Sequence, residues 1–294
     1  MYEKLKLQYD EEDLKKIIEG YTTKRKTTFR VNTLKSNIEE IEEVLKENNI
    51  SYSKVKWYDD AFVINDVKEN EIRNLKIYEE GKIYLQSLSS MMPVIFLNPN
   101  SGENILDMCA APGGKTTQIA TLSNNTSLIT ACEKNKIRAE KLKYNIEKQK
   151  AQKTTVLEQD AKNLSEFFSF DKILLDSPCS GSGTINIEDK KLEKYFTEDL
   201  VSHSIKAQQI LLHKAISLLK PGHEMIYSTC SILKEENENN IEKVLKNNQV
   251  EIIPLNTEKL EDVPLLPSKI EGVITVCPTE LYEGFFIAKL LKKK

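Results

Sequence analysis

Short apolar runs alternate with segments of helical length from about residue 102 to the end of the chain. Such alternation predicts a parallel sheet covered by helices, because strands buried on both faces need helices on either side. We predict strands from residue 104 and at 128–132, 154–158, 172–175 and 224–227, and helices at 115–122, 134–150, 203–220 and 234–246. Pro221 and Gly222 are expected to end the third of these helices.

Two cysteines stand just after two of the predicted strands. Cys179 lies in the run Asp176-Ser-Pro-Cys-Ser, and Cys230 lies in the run Ser228-Thr-Cys-Ser. Ligands bind outside the carboxyl ends of the strands in open α/β sheets, so both thiols are expected at the same rim. An exposed cysteine near a helix N-terminus can supply a nucleophilic thiolate. The pair therefore predicts a covalent catalytic site.

A turn of small residues follows the first of these strands, in Asp107-Met-Cys-Ala-Ala-Pro-Gly-Gly-Lys-Thr-Thr117. Small residues let the backbone approach a ligand, and the N-terminus of the helix that follows favours a negative group such as a carboxylate. Gly114-Lys115-Thr116 suggests a phosphate-binding P-loop. That motif needs a glycine five residues before the Gly-Lys pair, where Cys109 stands, so we exclude a P-loop nucleotidase.

Acidic residues follow three further predicted strands. Glu133 comes about twenty residues after the glycines, where nucleotide-binding α/β folds place the carboxylate that holds the ribose hydroxyls. Asp160 follows the next strand and is placed to meet an adenine amino group. Together with Asp176, these acids predict a nucleoside-shaped site at the rim.

These segments resemble the Sun-type (NSUN) RNA 5-methylcytosine methyltransferases. Residues 107–117 resemble the family's cofactor motif, and residues 176–183 and 228–231 resemble its two cysteine motifs. The double cysteine separates this family from DNA cytosine methyltransferases, which carry one Pro-Cys nucleophile. Further segments match the family's Arg-x-Asn motif, the segment before its catalytic domain and its closing strand: Phe29–Thr33, Leu85–Pro93 and Glu283–Leu290.

The resemblance implies a mechanism and a set of site residues. Cys230 is the thiolate that adds to C6 of cytosine, Cys179 assists release of the product, and Asp176 and Lys115 bind or orient the base. The cofactor is S-adenosyl-L-methionine, and no metal is expected. The residues expected to bind this cofactor are Cys109, Ala110, Ala111, Pro112, Gly113, Gly114, Lys115, Glu133, Arg138, Asp160 and Asp176.

The resemblance also implies the domain organisation. We expect an RNA-binding, RRM-like α+β domain with an N-terminal extension at 1–98, and a Rossmann-like class I methyltransferase domain of the α/β class at 99–294. Within the first domain, a strand is predicted at 28–34, a helix at 37–48, and strands within 54–64 with a turn at Asp59-Asp60.

Composition limits the partners. The chain is 30% charged and 39% hydrophobic, and it lacks a long apolar run or a signal sequence, so we expect a cytoplasmic monomer that does not enter the membrane. The formal net charge of −3 argues only weakly against nucleic acid, since RNA affinity depends on local contacts. Residues 21–35 carry five basic residues and no acid. This segment is either a solvated face or an RNA-contacting surface.

The favoured function is an RNA cytosine-5 methyltransferase acting on tRNA or rRNA. The alternatives are a DNA cytosine-5 methyltransferase and a non-catalytic RNA-binding assembly factor. Both cysteines and the glycine turn are present, which disfavours the assembly factor. The three other cysteines, Cys109, Cys132 and Cys277, are expected to have inert thiols.

Overall fold

The computed structural model describes residues 1–187 and 196–294, and these residues form two β-sheets. The strands of the smaller sheet are β1 (Thr28–Val31), β2 (Tyr52–Val55), β3 (Tyr58–Ile64) and β4 (Ile83–Leu85). Those of the larger sheet are β5 (Asn104–Asp107), β6 (Leu128–Cys132), β7 (Thr154–Leu157), β8 (Phe170–Asp176), β9 (Leu219–Thr229), β10 (Val250–Ile252), β11 (Leu265–Leu266), β12 (Ile274–Val276) and β13 (Phe285–Lys292).

Helices pack on both sheets. Those in the described residues are α1 (Tyr2–Gln8), α2 (Glu11–Thr22), α3 (Ile38–Glu47), α4 (Glu69–Arg73), α5 (Lys76–Glu79), α6 (Leu88–Leu97), α7 (Gly114–Leu122), α8 (Lys136–Gln149), α9 (Glu198–Leu218) and α10 (Glu238–Lys246). Short 3₁₀ turns lie at Ala161–Asn163, Ser182–Thr184 and Glu258–Leu260. Within residues 1–187 and 196–294, no helix combines the length and apolar character that crossing a membrane requires.

The smaller sheet is antiparallel, with the strand order β2-β3-β1-β4. With α3 between β1 and β2, and α4 and α5 between β3 and β4, it has the βαββαβ arrangement of ferredoxin-like domains. Asn37 caps α3 by accepting a hydrogen bond from the Glu40 amide at 2.8 Å, and Ile41 and Leu45 bury one face of that helix. The predicted small α+β domain is confirmed.

The predicted turn at Asp59-Asp60 is wrong. The chain reverses at Lys56 and Trp57, and both aspartates lie in β3. Trp57 is buried and its Nε1 donates a hydrogen bond to Tyr282 Oη at 3.1 Å. This tertiary contact fixes the turn three residues earlier than the local preference of aspartate for turns suggests.

The larger sheet has a parallel centre. Strands β5, β6, β7, β8 and β9 pair in parallel in the order β7-β6-β5-β8-β9, and β13 pairs antiparallel with β9. The chain moves outward from β5 through β6 to β7 and then returns to the other side of β5. The carboxyl ends of β5 and β8 therefore flank the point where the strand order reverses, which is where open α/β sheets bind ligands. The predicted Rossmann-like α/β core is confirmed.

The predicted end of the long helix in this domain is wrong. The long helix α9 stops at Leu218, and Pro221 and Gly222 lie inside β9. Leu219 is already extended because it pairs with Phe170 of β8. Strand β13 ends at Lys292, whose Nζ donates a hydrogen bond to the Leu219 carbonyl at 2.7 Å.

Buried polar side chains join the small domain to the large one. Arg30 on β1 is fully buried, and its Nη2 donates to the Gly114 carbonyl at 3.0 Å and to Thr117 Oγ1 at 2.7 Å. Asn32 Nδ2 donates to the carbonyl of Gln149 at 2.9 Å. The Arg-x-Asn segment is therefore an interdomain contact, and Arg30 does not belong to an RNA-contacting surface.

Candidate active site

A cleft of about 340 Å³ opens at the carboxyl ends of β5 and β8. Its walls come from β4 and the residues that follow it, the 107–115 turn, and the ends of β8 and β9. Phe285, the first residue of β13, and Glu283, two residues before it, close the remaining side. The cleft therefore lies at the reversal of strand order and touches both domains.

The small-residue turn forms one wall of this cleft through residues 109–112, Gly114 and Lys115. The Ala111-Pro112 peptide is cis, and Gly113 has φ of +110°, a conformation that favours glycine. A Cβ at Gly114 would lie 3.1 Å from the ring of Tyr84, so the small domain packs directly on the first turn of α7. Gly114 and Lys115 in the cleft wall place the N-terminus of α7 at the cleft, as expected for a site that binds a carboxylate.

The two strand-end acids expected to bind a nucleoside lie farther along the rim, beyond the walls of the cleft. Glu133 is buried, and its Oε1 accepts a hydrogen bond from the Asn135 amide at 2.8 Å. Asp160 accepts a hydrogen bond from the Lys162 amide at 3.2 Å. Both therefore have local partners at the ends of β6 and β7.

Arg138 supports the turn from α8. Its Nη2 donates to the Ala111 carbonyl at 2.8 Å, and its Nη1 lies 3.5 Å from Glu133 Oε2. Because its side chain is largely exposed, the charge pair with Glu133 contributes little stability by itself. The residue links the small-residue turn to the acid at the end of β6.

Lys115 and Asp176 form a partly buried ion pair in the floor of the cleft. Lys115 Nζ donates to Asp176 Oδ2 and to Ser90 Oγ, both at 2.7 Å, and Ser228 Oγ donates to Asp176 Oδ1 at 2.8 Å. Burial lowers the pKa of Lys115, but the charge and hydrogen bond of Asp176 outweigh it and leave the pKa above its ordinary value. Lys115 thus stays a cation that faces the cleft.

The two predicted cysteines meet at this rim. Cys179 Sγ lies 3.3 Å from Cys230 Sγ, and Cys230 forms part of the cleft wall. The hydrogen bond to Cys230 raises the pKa of the Cys179 thiol well above its ordinary value, with further contributions from burial and from the charge of Glu236. The Cys179 thiol is therefore held in its protonated form.

The remaining cysteines are kept neutral by burial. It raises the pKa of Cys132 and that of Cys277 to about 12, and it raises the pKa of Cys109 well above the ordinary value. In the described parts of the chain, no group of three or more His, Cys, Asp or Glu side chains is arranged to hold a metal ion.

Several cleft residues were not among the predicted site residues. Asp107 is buried, and burial raises its pKa to about 6 although Thr116 Oγ1 donates to its Oδ2 at 2.7 Å. Ser90 and Ser228 hold the Lys115–Asp176 pair, and Glu283 closes the wall. All four lie in segments that resemble family motifs, so the motifs themselves were the signal that could have identified them.

A second, wider groove of about 770 Å³ adjoins the cleft. The two share residues 85–87 and Glu283 in their walls. Lys24, Lys26 and Arg73 contribute positive charge to the wider groove. We call it the basic groove.

The basic segment at 21–35 is thus divided between two roles. Arg25 Nη2 and Nη1 donate to the carbonyls of Gly183 at 3.2 Å and Thr184 at 3.3 Å, so Arg25 braces the loop after Cys179. Lys24 is exposed, and Lys26 lies 3.9 Å from Glu280. Lys24 and Lys26 both line the basic groove, and Lys24 is the more exposed of the two.

Comparison with known proteins gives consistent matches over both domains. A family model described as 16S rRNA methyltransferase RsmB/F matches residues 94–291, and one described as the RsmF/B-like ferredoxin-like domain matches residues 1–69. The ribosomal RNA small subunit methyltransferase F of Shewanella sp. (strain ANA-3) is 32% identical over 273 residues, covering 91% of this chain and 56% of the relative. The chain thus spans little more than half the length of this curated relative.

Solved structures extend the comparison to the fold. A methyltransferase homolog protein from Pyrococcus horikoshii is 32% identical, with a TM-score of 0.84, and the match covers 98% of this chain and 93% of that one. NSun6 from Pyrococcus horikoshii, solved with SFG, is 24% identical with a TM-score of 0.86, covering 100% and 97% of the two chains. At that identity, the second likeness shows a shared fold.

Proposed function

The chain belongs to the family of 16S rRNA methyltransferases RsmB/F, and from this membership we propose that it methylates C5 of a cytosine in RNA. Membership also confirms the resemblance to Sun-type enzymes found in the sequence. The observation that carries the proposal is the contact of the Cys179 and Cys230 sulfurs beside the Lys115–Asp176 pair. Two cysteines at one rim suit the two-thiol chemistry of cytosine methylation and distinguish it from the single Pro-Cys of DNA enzymes.

The cleft, together with the rim beyond it at the ends of β6 and β7, suits S-adenosyl-L-methionine as the methyl donor. NSun6 was solved with SFG, an analogue of this cofactor. The amides at the start of α7 suit its carboxylate, and Glu133 at the end of β6 suits its ribose hydroxyls. The remaining proposed cofactor residues are the 109–115 turn, Arg138, Asp160 and Asp176. When bound, the cofactor supplies an electrophilic methyl group.

Residues of this chain would activate the base. C5 of cytosine is a poor nucleophile, and addition of the Cys230 thiolate to C6 makes it electron-rich. Asp176 can accept a hydrogen bond from the exocyclic amine and from a protonated N3, while Lys115 holds the Asp176 carboxylate in place. After methyl transfer, the C5 proton passes to a base, the C5–C6 double bond re-forms and Cys230 leaves C6 as a thiolate. We assign assistance of this release to Cys179.

The favoured substrate is small-subunit ribosomal RNA, since the matched relatives carry that name. The basic groove leads to the cleft, so we propose that it carries the RNA strand next to the target cytosine. The base must leave any stack to enter the cleft, which favours a loop or a flexible segment as the target. A bacterial ribosomal substrate would place the enzyme in the cytoplasm, and the domain division at 98/99 and the monomeric state stay predictions.

The proposal is tested by methyl transfer from tritium-labelled S-adenosylmethionine to small-subunit rRNA and, separately, to bulk tRNA. Label in rRNA that bisulfite sequencing locates at one cytosine is the expected outcome. The Cys230→Ala variant serves as the control for label that does not depend on the nucleophile. Label on a different atom or base would refute cytosine-5 chemistry. Label in tRNA alone would show that the substrate is tRNA and not small-subunit rRNA.

A further inference from the structure

Glu236 is fully buried between the two loops that carry the catalytic thiols. Its Oε1 accepts a hydrogen bond from the Ser180 amide at 2.7 Å. Its Oε2 accepts hydrogen bonds from Ser180 Oγ at 2.6 Å and from Ser231 Oγ at 2.5 Å. Ser180 directly follows Cys179, and Ser231 directly follows Cys230. One carboxylate therefore binds the neighbour of each thiol.

Further hydrogen bonds hold the two cysteine loops and Glu236 in place. Ser182 Oγ and Ser231 Oγ are 2.8 Å apart, and the Gly183 amide donates to the Cys230 carbonyl at 3.0 Å. The hydroxyl of Tyr227 donates to the backbone carbonyl of Glu236 at 2.6 Å, which fixes the position of the carboxylate. Glu236 is thus the central acceptor of a buried network in which its three short hydrogen bonds come from neutral groups. Buried networks of this kind hold their members in one arrangement.

Charge is distributed unequally around the two sulfurs. Lys115 is coupled electrostatically to Cys230, whose negative form raises the pKa of that lysine. On the other side, Glu236 contributes to the raised pKa of Cys179, after the hydrogen bond to Cys230 and burial. In general, a nearby cation favours the thiolate form of a cysteine, and a nearby anion favours the protonated thiol.

We propose that Glu236 is a positioning residue that holds the two thiols in contact and, by its charge, assigns the nucleophile to Cys230 and the proton to Cys179. This inference rests on the proposed two-cysteine reaction for its meaning. Its consequence is that the two sulfurs, which lie 3.3 Å apart, are chemically unequal before any RNA binds. The Cys179 thiol can then donate its hydrogen bond to the Cys230 sulfur.

The experiment is competitive alkylation of the full chain with iodoacetamide, without RNA or methyl donor, followed by mass spectrometry of the peptides that contain Cys179 and Cys230. Wild type should be alkylated preferentially at Cys230. Glu236→Gln preserves the side-chain shape and removes the charge, so the preference should fall about tenfold, the effect of one pKa unit. Glu236→Asp keeps the charge and should keep most of the preference.

The matched control is Glu238→Gln. Glu238 is also buried and starts α10, but its carboxylate accepts a hydrogen bond from Ser268 Oγ at 3.0 Å, outside the cysteine loops. This variant should keep the wild-type ratio of alkylation. An unchanged ratio in folded Glu236→Gln would overturn the charge assignment. A fall of the same size in Glu238→Gln would show an unspecific effect and would also overturn it.

Methyl transfer to RNA provides the second measurement. Ser180→Ala/Ser231→Ala removes two hydroxyl donors and keeps the Glu236 charge, so turnover should fall at least tenfold while the preference for Cys230 remains. This variant also tests the positioning role if Glu236→Gln does not fold, and full turnover would refute that role. Alkylation needs no RNA, so the inference and the proposed function can fail separately. An active wild type with a failed alkylation test would refute the inference alone. An inactive wild type that retains the preference for Cys230 would refute the proposed function alone.

Discussion

Arg30 donates a hydrogen bond to the backbone carbonyl of Gly114 at 3.0 Å, joining the inner strand β1 of the small domain to the first residue of helix α7. Arg30 also donates from Nε to Gln86 Oε1 at 3.0 Å, and its guanidinium lies over the ring of Tyr84 at 5.1 Å. Gln86, Tyr84 and Gly114 all line the cleft. The small domain therefore forms part of the wall of the proposed cofactor site and supports the first residue of α7.

This relationship predicts that Arg30→Lys weakens cofactor binding although Arg30 is not a wall residue of the cleft. A single ammonium cannot reproduce the fork that contacts Gln86, Gly114 and Thr117 together. Affinity for S-adenosylmethionine should fall by on the order of 1 kcal/mol, the value of one hydrogen bond. Isothermal titration measures this, with exposed Lys24→Ala from the same basic segment as the control. Equal affinities in both variants would contradict the role given to Arg30.

The contact of the two sulfurs predicts opposite effects of removing each one. Cys230→Ala should abolish methyl transfer, while Cys179→Ala should methylate once and then hold RNA covalently through Cys230. The trapped species would migrate as a shifted band on denaturing gels and disappear after RNase treatment. The double variant should show no band. A covalent band in Cys230→Ala and none in Cys179→Ala would reverse the two roles.

Glu133 is predicted to contribute to cofactor affinity through the ribose. Glu133→Ala should weaken binding of S-adenosylmethionine by about 1.5–3 kcal/mol, the range for hydrogen bonds to a charged group. Asp160→Asn should weaken it less, because one acceptor oxygen survives. Both losses would be measured by isothermal titration. Unchanged affinity in Glu133→Ala would mean that another group holds the ribose.

Regular elements of the large domain could be predicted from the sequence because their signals are local. Strand β6 has the predicted bounds 128–132, and α8 ends one residue before its predicted limit of 150. Apolar runs of strand length and helical periodicity depend on near neighbours along the chain. The meeting of Cys179 with Cys230 followed from topology, since the carboxyl ends of parallel strands share one rim.

Residues whose roles depend on tertiary contacts could not be predicted in this way. Arg30 lies in a run of cations that is typical of a solvated or RNA-binding face, yet docking of the domains buries it completely. Glu236 looks like one more acid in the polar run Lys234–Glu238, and only the fold places it between the cysteine loops. The start of α9 at Glu198, five residues before the prediction, follows from the Thr197 cap, which accepts from the Leu200 amide at 3.1 Å.

The basic groove predicts a salt-dependent RNA contact that excludes Arg25 and Arg30. Replacing Lys24, Lys26 and Arg73 together with glutamine should weaken RNA binding and reduce the slope of log affinity against log salt. The reduction should be up to about 0.7–0.9 per lost phosphate contact. Affinity for the cofactor should not change. Filter binding at several salt concentrations measures the slope. A slope equal to that of wild type would show that these cations are solvated and do not contact the RNA.

Asp107 predicts a specific dependence of stability on pH. Burial raises the pKa of this carboxyl from its ordinary 3.8 to about 6 in the folded chain. Between these values the folded state binds more protons than the unfolded state, so the stabilisation is complete below pH 3.8 and is lost as pH rises through about 6. Asp107→Asn cannot titrate, so its free energy of unfolding relative to wild type should rise by about 2.4 kcal/mol from pH 4 to pH 7. Urea denaturation at a series of pH values measures this difference. A difference that stays constant would show that the carboxyl has the same pKa in the folded and unfolded chains. A difference that falls with pH would show that its pKa is lower in the folded chain.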